Sequence, residues 1–413
     1  MTPLLLAAVA AVSLDGAYEA VEARYVREFL KRHPVVSTYL GGAGLDPALA
    51  EADGALKDWS PEGLAAEAAV YREIEGQLGK IDPVRLSARH RIDREVVLHQ
   101  IAFMRRQNEE RKRWHRLLDT YVNEAFRGVD WYMQGMADLG GGKYGTEAEW
   151  RRVAARAKAV PAYLKTAQAN LAAGQAADDV PDWRMVERDG LRSSEANAAF
   201  FEKELPELAV QRTKGQPFAN AVLAELRTQG AAAALGFRDF RAFLEKTLAK
   251  LPKKDRYAIG AAEYDWAITH NLGFQTTAAR LFEESWAPVE ATREALMSTA
   301  AKVAEKRGRK DLAWDPAHRE ASTRAVMDLL AEDYPKSDEA MIAAYRDVGQ
   351  RLVAFARKSG PSTCPPSTSS TSRWCRRSSS PRSTPRRITP PRRSRTPVWV
   401  ASTWPPRTAI RRS

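Results

Sequence analysis

The chain has 413 residues with 64 basic and 52 acidic side chains, for a formal charge of +12. Twelve of the basic residues, all Arg, lie beyond residue 360, so residues 1–360 carry 52 charges of each sign; both cysteines, Cys364 and Cys375, also fall in that tail. A neutral, cysteine-free body excludes a nucleic-acid partner recognised by overall charge, a disulfide framework and a thiolate metal site.

Residues 1–13 contain a short apolar run, Leu4 to Val12, with no basic residue ahead of it. A secretory signal normally has a basic start and a small-residue cleavage site, and the run is too short to span a bilayer. Export to the periplasm or beyond and a cytoplasmic location both remain open. From residue 14 the punctuation is that of helices. Ser60-Pro61 offers an N-cap with Pro at the first helical position, and Leu64, Tyr71, Ile74 and Leu78 follow at helical spacing. Ile92, Val96, His99 and Phe103 recur at three and four residues, which predicts an apolar helix face. "RRQNEERKRWHR" (105–116) is locally basic, but Glu109 and Glu110 fit a solvated helix face with i,i+4 pairs better than a phosphate-binding patch.

"LGGGKYG" (139–145) lacks P-loop spacing and reads as a loop between helices. Thr146 to Glu149 is a capping box opening a stripe of Trp150, Val153, Ala157, Val160, Leu164, Ala167 and Leu171, with Gly174 as the expected C-cap and Pro161 as an internal kink. Phe237, Phe240, Leu244, Leu248 and Leu251 form a further apolar face. A long helix is predicted from about Thr276 to Lys306, bent by Pro288, and a last one from Asp338 to Lys358. Period-two alternation is almost absent. Residues 14–358 therefore read as an all-α, multi-helix array, followed by a disordered Arg/Ser/Pro-rich tail over 359–413.

No catalytic, cofactor-binding or metal-ligating residue stands out. The six histidines (His33, His90, His99, His115, His270 and His318) include no i,i+4 pair, so the H-E-x-x-H zinc helix is absent. His90 and His99 are about two and a half turns apart and point to opposite faces of one helix. His99 reads as a core residue, and His318 with Glu320 as a cap or salt bridge. Adjacent acids such as Glu283-Glu284 and Glu332-Asp333 do not face one another.

The tail admits three readings. Of the 53 residues from Pro361 to Ser413, 12 are Arg, 20 Ser or Thr and 10 Pro, with no acid. An arginine/serine arm could bind RNA phosphates, which salt-dependent binding lost on deleting 361–413 would support. A solvated disordered tail is the second reading. The third is a reading-frame change near Ser359. One base back, codons for Ser-Thr-Cys-Pro (362–365) can give Phe-Asp-Val-Pro, and those for Pro397 to Trp404 can give Gly-Val-Gly-Arg-Phe-Tyr-Val.

Three stretches carry a family resemblance: "HPVVSTYLG" (33–41) followed by Asp46, "VPAYLKTAQANLAAG" (160–174) and "IGAAEYDWAITHNL" (259–272). In order and spacing they resemble the bacterial domain of unknown function 885, over about residues 18–358. Members look like gluzincin-type zinc metallopeptidases, mostly helical and often exported. The resemblance implies a zinc site on an H-E-x-x-H-like helix beyond the matching part, a peptide substrate, and a helical, substrate-cleft role for the residues present here. No zinc ligand can be placed on a residue of this sequence, so the chain is expected to be the inactive N-terminal portion of such an enzyme. The alternative is a non-catalytic α-helical scaffold with a basic tail. A body adapted to pack against a missing half should also expose apolar helix faces.

Overall fold

A computed structural model describes residues 14–359; the apolar run at 4–12 and the tail beyond 359 lie outside them. The chain divides into two compact units at Ala295/Leu296. The first opens with α1 (Asp15–Arg32), α2 (Pro34–Leu40) and a single turn, α3 (Gly42–Leu45), then a 3-10 stretch from Pro47 to Gly54. Next come α4 (Pro61–Gly79), α5 (Ala88–Arg105), α6 (Leu118–Gly135), a hairpin of β1 (Asp138–Gly140) and β2 (Lys143–Tyr144), and α7 (Glu147–Ala176). α8 (Trp183–Met185), α9 (Ser193–Ala199) and α10 (Leu205–Thr213) are joined by π turns. α11 (Ala219–Lys246) and α12 (Ala261–His270) follow.

The local signals explain why these helices begin where they do. Ser60 Oγ accepts from the Gly63 amide at 3.0 Å, capping α4. At α7 both halves of the capping box form: Glu149 Oε2 accepts from the Thr146 amide at 2.7 Å, and Thr146 Oγ1 accepts from the Glu149 amide at 3.3 Å. α7 continues unbroken through Pro161 and ends two residues past the expected stop, because Gly174 is buried in the helix instead of closing it. The glycine-rich stretch is a tight hairpin whose turn residues, Gly141 and Gly142, have φ of 61° and 80°, a conformation that side chains disfavour.

One apolar cluster dominates the first unit. α7 contributes its predicted stripe, with Trp150, Val153, Ala157, Val160, Leu164, Ala167 and Leu171 facing a core that includes Phe237, Phe240 and Leu244 of α11 and Leu248 of the 3-10 turn after it. A second cluster lies between α1, α4 and α5: Tyr18, Tyr25, Tyr71, Ile74, Leu78, Val97 and Ile101. This overturns the expected face of α5. Ile92 and Val96 are exposed and His99 is half-buried, because α5 turns Val97 and Ile101 toward α1 and α4.

The segment 105–116 also differs from the expected solvated helix. The i,i+4 pairs Arg105–Glu109 and Arg106–Glu110 form, but the helix gives way to a π turn at Arg106–Glu110, a left-handed Lys112 and a 3-10 turn at Arg113–His115. Tertiary ion pairs to Glu75 and Glu263 pull this strip inward.

Arg156, on α7, is fully buried in the first unit. Its Nε donates to Ala55 O at 3.0 Å, Nη1 to Gly128 O at 2.5 Å, and Nη2 to Ala52 O at 2.7 Å and Thr38 Oγ1 at 2.9 Å. Thr38 Oγ1 in turn donates to Asp53 Oδ1 at 2.7 Å. α6 comes this close only because residue 128 is glycine; a Cβ there would lie 2.9 Å from Nη1.

The second unit starts inside α13 (Ala278–Lys306), which runs through Pro288, and continues with α14 (Arg319–Ala331) and α15 (Asp338–Ser359). Its core is small: Ala300, Ala304 and Val326, with Val303, Leu312 and Trp314 partly buried against them. Met327, Leu330, Tyr345, Leu352 and Phe355 are exposed. Replacing Arg156 by Met should lower unfolding free energy by about 3–5 kcal/mol, since four carbonyl and hydroxyl acceptors lose a buried cation. Thr146→Ala should cost only about 1 kcal/mol. Urea titration of both variants checks the contrast.

Candidate functional site

The most concentrated buried chemistry lies where α1, α2 and α4 meet. The chain breaks between α1 and α2 at His33, whose Nδ1 faces Phe29 O at 2.9 Å and whose ring stacks on Phe29 at 4.3 Å between centroids. Nδ1 therefore carries the proton, and Nε2 presents a lone pair. Lys57 Nζ donates to that lone pair at 3.1 Å and to Glu67 Oε2 at 2.6 Å, and sits 4.7 Å over the Trp59 ring. Tyr71 OH, one turn along α4 from Glu67, donates to Glu67 Oε1 at 3.0 Å. Lys57 is 3% exposed and Glu67 2%. Burial lowers the Lys57 ammonium, opposed by Glu67. Burial also pushes the His33 imidazole down to about 4, with the Lys57 charge adding to the effect.

A second buried carboxylate lies nearby. Glu124 on α6 accepts from Tyr163 OH of α7 at 3.0 Å, and burial raises its pKa. Asn170 of α7 donates to Trp59 O and to Tyr121 OH, both at 3.0 Å. On another face, Glu263 of α12 accepts from Arg106 Nη2 at 2.9 Å and Gln107 Nε2 at 3.1 Å. Arg106 stacks over Trp266 at 4.6 Å, and Trp266 stacks on His270.

The remaining sequence candidates separate. His90 pairs with Asp15 at 2.9 Å, whereas His99 abuts Gly273, so the two do face apart. His115 meets Asp179 at 3.0 Å, and His318 meets Asp315 at 2.8 Å, a salt bridge rather than a cap. Glu284 pairs with Arg280, and Asp333 with Arg307. Sequence reading missed the His33–Lys57–Glu67 cluster. Its members stand 24 and 10 residues apart on three different elements, and no spacing rule joins them.

This cluster can hold charge but offers no place for a metal. The Lys57 ammonium already occupies the point between imidazole and carboxylate where a cation would sit. Among the described residues, no group of three or more His, Cys, Asp or Glu could hold a metal ion, so they do not fit the zinc site that the resemblance implies. A cleft of about 230 Å³ runs beside α1, lined by Glu19, Glu22, Arg27 and Asp46, but the 2.6 Å Arg27–Asp46 ion pair consumes its two strongest groups. It is also smaller than the usual ligand pocket of about 300–1,000 Å³. No described helix is long and apolar enough to cross a membrane.

The His33 shift has a definite pH consequence. The folded-state value lies below the ordinary 6.5, so the fold holds the neutral ring. Its contribution is fully present above about 6.5 and is lost as pH falls through about 4, for up to about 3 kcal/mol. His33→Asn should flatten the fall in urea midpoint between pH 7 and pH 4.5 relative to the parent chain. Carboxylates common to both proteins cancel in that comparison.

The family described as "Bacterial protein of unknown function (DUF885)" matches residues 34–412. No curated protein matches the sequence at a significant level. Among solved structures, a lipoprotein of unknown function from Shewanella oneidensis is similar in fold, with TM-score 0.57 and 17% identity. The likeness covers 84% of this chain and 59% of that one, so the chain spans less than two thirds of that structure's length. With a match across most of its residues, the chain belongs to the DUF885 family.

Proposed function

We propose that this chain is the N-terminal, helical portion of a zinc-dependent peptidase, supplying scaffold and cleft helices while a zinc-binding helix and the hydrolytic chemistry belong to a part it lacks. One observation carries the scaffold half of this reading. Each of the three motifs behind the family resemblance spends some of its polar side chains on internal bonds, while Tyr39 and Tyr264 face solvent. His33, Thr38, Tyr163, Asn170 and Glu263 each tie one helix or turn to another. The peptidase half rests on the resemblance of those motifs. In relatives of full length, two His would hold zinc, and the Glu between them would activate a bound water.

The family match runs to residue 412, past the change of composition at about residue 359. A genuine in-frame end fits that span, and a frame change fits the composition. DNA sequence from codon 340 past the stop separates them: an H-E-x-x-H-type helix in the frame one base back supports the truncated-peptidase reading, and early closure of that frame removes it. The purified chain should bind no stoichiometric zinc by elemental analysis and should leave a fluorogenic peptide library uncut. Stoichiometric zinc with chelator-sensitive cleavage would sink the inactive reading. A non-catalytic binding scaffold is the second reading, favoured by exposed Tyr257, Tyr264, Leu272 and Phe274 around α12.

A further inference from the structure

α15 carries two apolar faces. Ile342, Gly349, Val353 and Ala356 are half-buried. About a quarter turn away, Met341, Tyr345, Val348, Leu352 and Phe355 are all exposed, with Tyr345 at 71% and Phe355 at 68%. The exposed five follow one another at intervals of four, three, four and three residues. That period of 3.5 is the pattern of a helix-pairing seam, narrower than the stripe of an ordinary surface helix.

We propose that this face is the seam of a homodimer, with α15 packing antiparallel against α15 of a second copy. Two features of the helix make it complementary to itself. The stripe is nearly symmetric about Val348: Met341 and Phe355 stand seven residues to either side, and Tyr345 and Leu352 three and four. Charge is also segregated, with Asp338 in the first turn and Lys358 in the last. A two-fold axis at Val348 sets Asp338 of each copy beside Lys358 of the other, ten residues either side of the dyad. A parallel pairing would instead put like charges together. An isologous contact of this kind requires such self-complementarity. The need for cover is physical: among the described residues of the second unit the core is Ala300, Ala304 and Val326, with Met297 also buried, and a core this small cannot shelter the stripe.

The test uses the full 413-residue chain in sedimentation equilibrium and light scattering over a wide concentration range. A reversible monomer–dimer equilibrium is expected. Leu352→Glu should give a monomer at every concentration with unchanged helicity, since Leu352 is 62% exposed within one chain. Asp338→Lys sets like charges together twice per dimer and should weaken it roughly tenfold at low salt. Asp338→Lys with Lys358→Asp should restore it. A monomeric parent chain overturns the proposal and leaves the face to a segment such as longer relatives possess. Open-ended association untouched by Leu352→Glu overturns it too, and equal dissociation constants for the single and double charge variants overturn the antiparallel arrangement.

Discussion

The fold of the first unit depends on putting a guanidinium where no water reaches. Arg156 can sit fully buried in α7 only if its donors are met, and they are met by the backbone of other segments: Ala52 and Ala55 in and after the 3-10 stretch, and Gly128 on α6. Ala52 O accepts from the guanidinium in addition to the Ala55 amide at 3.1 Å, so Arg156 takes the second lone pair of a carbonyl near the end of the 3-10 stretch. The positive charge finds Asp53 through the Thr38 hydroxyl. An apolar core holds almost any arrangement of helices that keeps its volume, whereas a five-donor fork fixes one register. Burial lowers the Arg156 pKa to about 10, so the side chain is still charged at neutral pH, and the network stays complete.

The Lys57 cluster applies the same logic with a different cation. Two buried carboxylates, Glu67 and Glu124, flank the space that an unpaired anion could not occupy, and the ammonium compensates them. Lys57 takes the Nε2 lone pair of the tautomer that Phe29 O selects, and Glu67, held by the same ammonium, orients Tyr71. Groups that in a cleft would serve as base, ligand or proton donor are here committed to one another.

Sequence reading recovered what local rules control. The cap at Ser60, the capping box at Thr146, the stripes of α7 and α11 and both proline-containing helices follow from spacing and end chemistry, and they stand where those rules put them. It failed where tertiary contact outvotes local pattern. On α5 the stripe Ile92–Val96–His99 looks as apolar as Val97–Ile101, and only the neighbouring Tyr25 and Leu78 decide which one turns inward. The strip 105–116 looks solvated until Glu75 and Glu263, dozens of residues away in either direction, draw its arginines in. The buried polar cluster was illegible for the same reason. His33 could be seen as one of six histidines, but its meaning lies in Lys57 and Glu67, which share no repeat with it.

α7 and α15 show that amphipathic pattern alone does not say what a helix face is for. Both carry apolar residues at three and four, and both begin with acidic residues in the first turn. α7 is matched by α11, glycine for close approach and phenylalanine for volume, and every position of its stripe is lost to solvent. Among the described residues of its own unit α15 has no such partner, and its stripe faces outward with tyrosine, leucine and phenylalanine rather than the short or charged side chains that blunt an exposed surface. A face left so by the fold is not neutral. Apolar area of this size lowers the free energy of any complex that covers it. The chain either meets a partner shaped to the 3.5-residue period or collects contacts without register. The near-symmetry about Val348 is what makes a second copy the better-fitting cover.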